Sequence, residues 1–225
     1  MTVIASDRRA YYIGARETSI SGRHLGAPPP SSEPKASRLL ISGRELFICD
    51  GFIDPVLATK IESVVQTLRY ERKEMSRVDV PPSADSADIP DEVVGADPFF
   101  LRLRQVAEWM FPGEVLRNQR AYVNSSVYGD SYFTHRDCSA HRKHVTVLYY
   151  VNLDWHADWG GETIFFDDDY DARLVVTPRA GRVVVSRGAI LHRGTVPTSS
   201  CQKKRYTIAY KLLSGDPADD PPRQG

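Results

Sequence analysis

From Arg117 onward the chain breaks into short runs of β-branched and aromatic residues, near 118–128, 131–136, 143–152, 162–166, 172–177, 181–187, 190–194 and 204–213. Gly, Asp or Pro separates each run from the next, and no helical spacing intervenes. Eight such strands predict a sandwich or barrel in which antiparallel pairs surround a pocket. The fold class expected is mainly β with flanking helices.

The helices come before the strands. A short strand at Glu45–Cys49 leads to Asp54-Pro55, an N-cap with proline in the first helical position. Leu57, Ile61, Val64, Val65 and Leu68 follow at helical spacing. Asp97-Pro98 repeats the start signal, and Phe100, Leu103, Val106, Ala107 and Met110 mark a second amphipathic helix. Between the two lies Ser76 to Ala96, rich in Asp, Pro and Ser, which reads as a long lid or substrate loop or as plain disorder.

A length of 225 residues with 41% hydrophobic content suits one well-buried domain. That domain is expected over 44–214, with residues 1–43 as a partly ordered arm and 215–225 as a polar tail. With 29 residues of each sign the formal net charge is zero, so no excess positive field exists to hold nucleic acid. No apolar run reaches the ~20 residues that span a bilayer, and the beginning lacks a signal-peptide pattern. Cys49, Cys138 and Cys201 form neither an even set nor a Cys-x-x-Cys pair. A cytoplasmic location and a small-molecule partner are expected, without membrane or nucleic acid.

Strand alternation then sorts the polar residues. In an extended strand, residues i and i+2 point the same way, so His135 and Asp137 face one volume. His192 follows a strand and turn and can arrive from a neighbouring strand. Two imidazoles and one carboxylate on one face of a metal leave other positions open, as in non-haem Fe(II) oxygenases. Thr146, Leu148 and Tyr150 share one strand face, and Arg205 and Thr207 share another with Ala209. A hydroxyl, an apolar wall, a phenol and a guanidinium thereby converge on a small dicarboxylate, which points to 2-oxoglutarate.

From Tyr122 to Leu213 the chain resembles the prolyl-4-hydroxylase-like branch of the Fe(II)/2-oxoglutarate-dependent dioxygenases. The likeness rests on Tyr128-Gly129, His135-Arg136-Asp137, the segment Thr146 to Trp155, Gly160-Gly161-Glu162-Thr163, His192 and Arg205-Tyr206. The resemblance implies a double-stranded β-helix, a jelly-roll of cupin type. It implies Fe(II) on His135, Asp137 and His192, with 2-oxoglutarate and O2 as co-substrates and ascorbate as a further candidate. Arg205 and Tyr150 would bind the distal carboxylate with Thr146 nearby, while Tyr122, Asn124 or Tyr128 would steady the near one. Lys203 and Lys204 are weaker candidates for the cation.

The activity expected is hydroxylation or other oxidation of an aliphatic C–H in an amino acid or specialised metabolite, with succinate and carbon dioxide as co-products. Asp137 favours hydroxylation over halogenation, because related halogenases lack the carboxylate ligand. Alternatives are a peptide prolyl hydroxylase and a cupin-like metal isomerase or hydrolase that does not use 2-oxoglutarate. Trp159 is a candidate for the pocket mouth, Asp167 to Asp171 for a solvated turn, and His24, His141, His144 and His156 for positions outside the metal set.

Overall fold

Two aspartates start the two main helices in the computed structural model, which describes residues 17–18 and 34–215. The Asp54 carboxylate accepts from the backbone N–H groups of Val56 (2.9 Å) and Leu57 (3.2 Å), opening α1 (Pro55–Thr67). Asp97 accepts from Phe99 N–H at 2.9 Å and opens a second 13-residue helix, Pro98–Met110. Proline at the first turn costs nothing there, because that N–H has no helical partner. Between these helices the backbone forms a third, Asp91–Ala96. In chain order the three are α1, α2 and α3.

Among the described residues twelve strands form two sheets. The strands are β1 (Glu17–Thr18), β2 (Lys35–Ile41), β3 (Arg44–Asp50), β4 (Glu71–Glu74), β5 (Ala84–Ile89), β6 (Leu116–Ser126), β7 (Val145–Tyr150), β8 (Thr163–Phe166), β9 (Ala172–Val176), β10 (Val183–Arg187), β11 (Leu191–Gly194) and β12 (Arg205–Ser214). The large sheet runs β1-β2-β3-β10-β7-β12-β6-β5-β4, and the small one runs β11-β8-β9. All pairings are antiparallel. Two facing antiparallel sheets of this order make the double-stranded β-helix.

The large sheet is buried on both faces, and alternation decides what goes where. Val147 and Tyr149 of β7, Val183 and Val185 of β10, and Ile208, Tyr210 and Leu212 of β12 face the helices in one core. There Phe99 meets Tyr149 edge-on at 4.9 Å and Phe100 meets Tyr210 at 5.7 Å. The opposite face joins the small sheet through Leu46, Tyr150, Phe165, Val176, Val184 and Ile190. On that inner face the intervening residues are polar: Thr146, Ser186, Arg205, Thr207 and Lys211. Burying so many polar side chains is unfavourable unless something engages them, and they mark where the chemistry sits.

Three expectations are corrected. Residues 131–136 form no strand, and only His135 pairs there, with His192. The segment Ser76 to Ala96 is neither a structureless lid nor disorder throughout, because β5 extends the large sheet against β6 and α2 follows it. Ala, Ser and Asp are poor strand formers, so the ladder offered by β6 overrides their local preference. Residues 35–41, which the sequence places in the amino-terminal arm, form β2 on the edge of β3. His24 and residues 216–225 lie outside the described residues.

Candidate active site

His135, Asp137 and His192 come together at the open end between the sheets. One ligand atom from each lies within 4.8 Å of the others. His135 and His192 exchange backbone hydrogen bonds of 3.0 and 2.9 Å, and Asp137 N–H donates to the Gly188 carbonyl at 2.8 Å. Those three bonds hold the short extended piece around His135 in place of a longer strand.

The rings are oriented for a metal. His135 Nδ1 lies 2.9 Å from the Phe133 carbonyl and His192 Nδ1 lies 2.9 Å from the Ile190 carbonyl. A carbonyl only accepts, so each Nδ1 carries the proton and each Nε2 presents a lone pair inward. His135 Nε2 stands 3.3 Å from Asp137 Oδ1, and His192 Nε2 stands 3.6 Å from Asp137 Oδ2. Burial pushes the His192 imidazole down to about 4 against the pull of Asp137. Burial pushes the Asp137 carboxyl up, but Lys211 and the two histidines outweigh it and hold it well below the ordinary range. Two imidazoles and one carboxylate, held by outer hydrogen bonds, are a donor set that fits Fe(II).

The register of β12 against β7 and β6 arranges the rest in rows. Lys211 lies opposite Thr146, Ala209 opposite Leu148 and Tyr122, Thr207 opposite Tyr150 and Asn124, and Arg205 opposite Ser126. Around this floor a pocket is lined by Tyr122, Asn124, Thr146, Leu148, Arg205 and Thr207 together with both histidines. At its deep end Arg205 is only 3% exposed. Its Nε donates to the Gly161 carbonyl at 2.6 Å, and its outer nitrogens reach only the hydroxyls of Thr163 and Thr207, both at 3.5 Å. The Tyr150 ring lies 5.7 Å from the guanidinium, and its hydroxyl is 2.8 Å from Thr163 Oγ1. Among the described residues no carboxylate forms an ion pair with Arg205.

Not every residue singled out in the sequence reaches this pocket. Tyr128 is 65% exposed on the turn after β6, because the strand ends at Ser126 and the chain leaves the sheet. Lys203 pairs with Asp154 and covers the Trp159 ring, and Lys204 is exposed. Trp159 packs edge-on against Trp155 outside the pocket lining. Asp167 to Asp171 form the turn between β8 and β9, where Arg44, Arg136 and Arg173 engage them. His144 is buried at the start of β7, where its Nδ1 accepts from Ser214 N–H at 3.2 Å.

Lys211, Glu74, Tyr132, Phe165 and Ser186 stand on the pocket wall without having been singled out in the sequence, and Thr163, noted there only as the end of the Gly160-Gly161 motif, joins them. Lys211 was detectable, since the alternation through Arg205, Thr207 and Ala209 continues to it. Glu74 and Tyr132 carry no such signal, because their strand or loop reaches the pocket only through tertiary pairing.

A double-stranded β-helix with an inward His-Asp-His set and a buried arginine without a carboxylate partner is an arrangement suited to a non-haem metal oxygenase. Residues 123–210 match the 2OG-Fe(II) oxygenase superfamily. No curated protein sequence matches it. Solved structures that share its fold include a prolyl hydroxylase from Trichoplax adhaerens in complex with a hypoxia inducible factor peptide fragment. That one has 16% identity and a TM-score of 0.56, over 75% of this chain and 83% of that one. A Pseudomonas putida prolyl-4-hydroxylase has 18% identity and a TM-score of 0.53, over 76% and 93%. HygX from Streptomyces hygroscopicus, with nickel, 2-oxoglutarate and hygromycin B bound, has 13% identity and a TM-score of 0.55, over 75% and 82%. Among the described residues, no helix is long and apolar enough to cross a membrane.

Proposed function

We propose that His135, Asp137 and His192 hold Fe(II), that Arg205 grips the distal carboxylate of 2-oxoglutarate, and that the enzyme hydroxylates an aliphatic C–H of a small molecule. The observation that carries the reading is Arg205, buried to 3% exposure with no carboxylate of its own. A guanidinium taken out of water at that depth needs an anion, and a carboxylate can accept two parallel N–H bonds from it. Thr207 and the Tyr150 and Thr163 hydroxyls frame the same anion. Leu148 and Ala209 give the methylene segment an apolar wall, and Asn124, whose side-chain oxygen has no partner among the described residues, stands beside it.

Iron held by His135, Asp137 and His192 would supply oxidation by O2, coupled to conversion of 2-oxoglutarate to succinate and carbon dioxide. The protein's share is orientation and exclusion of water. The Phe133 and Ile190 carbonyls fix the two rings, the Thr146 hydroxyl fixes Asp137, and Phe165 lies along His192 at 5.7 Å to keep solvent from it.

The entrance supports a compact substrate. Ser76 Oγ accepts from Phe133 N–H at 3.2 Å and Arg77 donates to the Thr134 carbonyl at 3.3 Å, which ties the segment after β4 to the one before His135. A rim closed on that side suits an amino acid or specialised metabolite better than an extended peptide. HygX, solved with hygromycin B bound, provides a small-molecule precedent on this fold. Balanced charge and three free cysteines support a cytoplasmic enzyme.

The test is succinate release from full-length protein, Fe(II) and 2-oxoglutarate against pools of amino acids, metabolites and prolyl peptides. A metabolite that drives succinate formation, lost in His135→Ala and in Arg205→Leu, is the expected result. Turnover that survives His135→Ala overturns the metal assignment, and a mass gain on a peptide alone moves the substrate class to prolyl peptides.

A further inference from the structure

β12 carries a second buried cation on the same inward face as Arg205. Lys211 lies six residues further along, an even number, with Thr207 and the small Ala209 between them. Its side chain is 13% exposed, and its ammonium stands 2.5 Å from Asp137 Oδ2 and 3.4 Å from Thr146 Oγ1. An ammonium has three donors, and two are engaged by these contacts, which leaves one for the pocket that Lys211 lines.

Asp137 Oδ2 is a crowded acceptor, since Thr146 Oγ1 also donates to it at 2.5 Å. Without a metal, Lys211 and Asp137 neutralise each other. A divalent ion on the two imidazoles and Asp137 would take over that carboxylate's charge and leave the ammonium as surplus positive charge beside the ion. Lys211 lines the same pocket as both histidines, so an anion bound beside the triad would have its ammonium as a cationic partner.

We propose that Lys211 is the near-end counterpart of Arg205, binding the carboxylate of the 2-oxo acid group that chelates the metal, so that one strand grips 2-oxoglutarate at both ends. This rests on the reading of Arg205 and the metal triad above. It assigns the near carboxylate to a charged partner on β12 in place of Tyr122, Asn124 or Tyr128. Arg205 and Lys211 bracket Thr207 and Ala209, and the small Ala209 side chain leaves the dicarboxylate room to lie along the strand.

Two probes separate the ends. Oxalate offers a chelating near end and has no distal carboxylate, whereas 2-oxoglutarate has both. Full-length protein loaded with Mn(II) is titrated with each probe, and Mn(II) affinity is measured separately, for Lys211→Met, Lys211→Gln, Lys211→Arg and Arg205→Leu. The expected result is a tenfold or greater loss of both probes in Lys211→Met and Lys211→Gln, with part of the affinity restored in Lys211→Arg. Arg205→Leu should lose 2-oxoglutarate and keep oxalate, and Mn(II) affinity in the Lys211 variants should match or exceed that of the unaltered protein, because a competing cation has gone. Oxalate binding unchanged in both Lys211→Met and Lys211→Gln overturns the proposal. So does a tenfold fall in their Mn(II) affinity, which would make Lys211 a holder of Asp137 instead. Unchanged 2-oxoglutarate binding in Arg205→Leu is the separate failure of the parent reading.

Discussion

Arg205 and Gly161 are built to touch. The Arg205 Nε–H donates to the Gly161 carbonyl at 2.6 Å, and a Cβ placed on Gly161 would come within 2.9 Å of Arg205 Cδ and 3.0 Å of the Trp155 ring. Gly161 also has φ +80°, a conformation that costs a residue with a side chain about 1–2 kcal/mol. The paired glycines of Gly160-Gly161-Glu162-Thr163 are thus a seat for the guanidinium, and Thr163 at the end of the motif meets its outer nitrogen.

Gly161→Ala should therefore displace Arg205 from its seat. The expected outcome is a 2-oxoglutarate affinity about tenfold weaker, equivalent to ~1.4 kcal/mol, together with a stability loss of similar size. Isothermal titration on metal-loaded protein reads the first and urea unfolding the second. A variant that loses stability but binds 2-oxoglutarate normally would show that the contact serves only packing.

Tyr150 offers a milder probe of the same end. Its hydroxyl lies 2.8 Å from Thr163 Oγ1 and 3.2 Å from the Val176 carbonyl, fully buried. Tyr150→Phe keeps the ring over Arg205 and removes one hydrogen-bonding group, so 2-oxoglutarate should bind about fivefold more weakly, for a bond worth ~1 kcal/mol. Oxalate binding, which needs no distal carboxylate, should not change. Equal losses for both ligands would count against placing Tyr150 at the distal end.

Alternation makes much of this site legible in the sequence. Thr146, Leu148 and Tyr150 on β7 and Arg205 and Thr207 on β12 share the inner face because a residue's side in a strand depends only on counting by two. The same count reaches Lys211, which counts as readable once the strand is followed to its end at Ser214. Glu74 and Tyr132 were not readable, since nothing local says that β4 pairs with β5 or that the loop before His135 folds over the pocket. Tyr128 misled for the opposite reason: it continues the count of β6 past the point where the ladder to β12 stops, at Ser126.

The metal-free protein should lose stability in mild acid partly through His192. Burial holds this imidazole at about 4, below its ordinary 6.5. Between those values the unfolded chain binds a proton that the folded chain does not, so stability falls as pH drops through that window. At pH 5 the shortfall is on the order of 2 kcal/mol relative to pH 7. His192→Gln removes the titrating group, and urea unfolding at the two pH values should show a shallower fall. An identical fall in both proteins would assign the acid sensitivity elsewhere.

Arg187 should be a stability residue that leaves ligand binding alone. It ends β10, is 9% exposed, and donates to both oxygens of Glu114 at 2.9 and 2.5 Å. It also donates to the Lys143 carbonyl at 2.8 Å, and its guanidinium lies 3.9 Å from the Phe111 ring centre. These contacts tie β10 to the end of α3 and the start of β6, on the face away from the pocket. Arg187→Leu strands Glu114, whose carboxyl is pushed up by burial but held below its ordinary value by Arg187 and Ser214. Removing one partner of a buried pair costs about 3–5 kcal/mol, and Glu114 is a quarter exposed, which places the expected loss near the low end. Urea unfolding should therefore show a loss of about 3 kcal/mol, while the folded fraction binds Mn(II) and 2-oxoglutarate with unchanged constants. A loss of less than ~1 kcal/mol would mean that solvent reaches the pair and screens it as it does a surface ion pair.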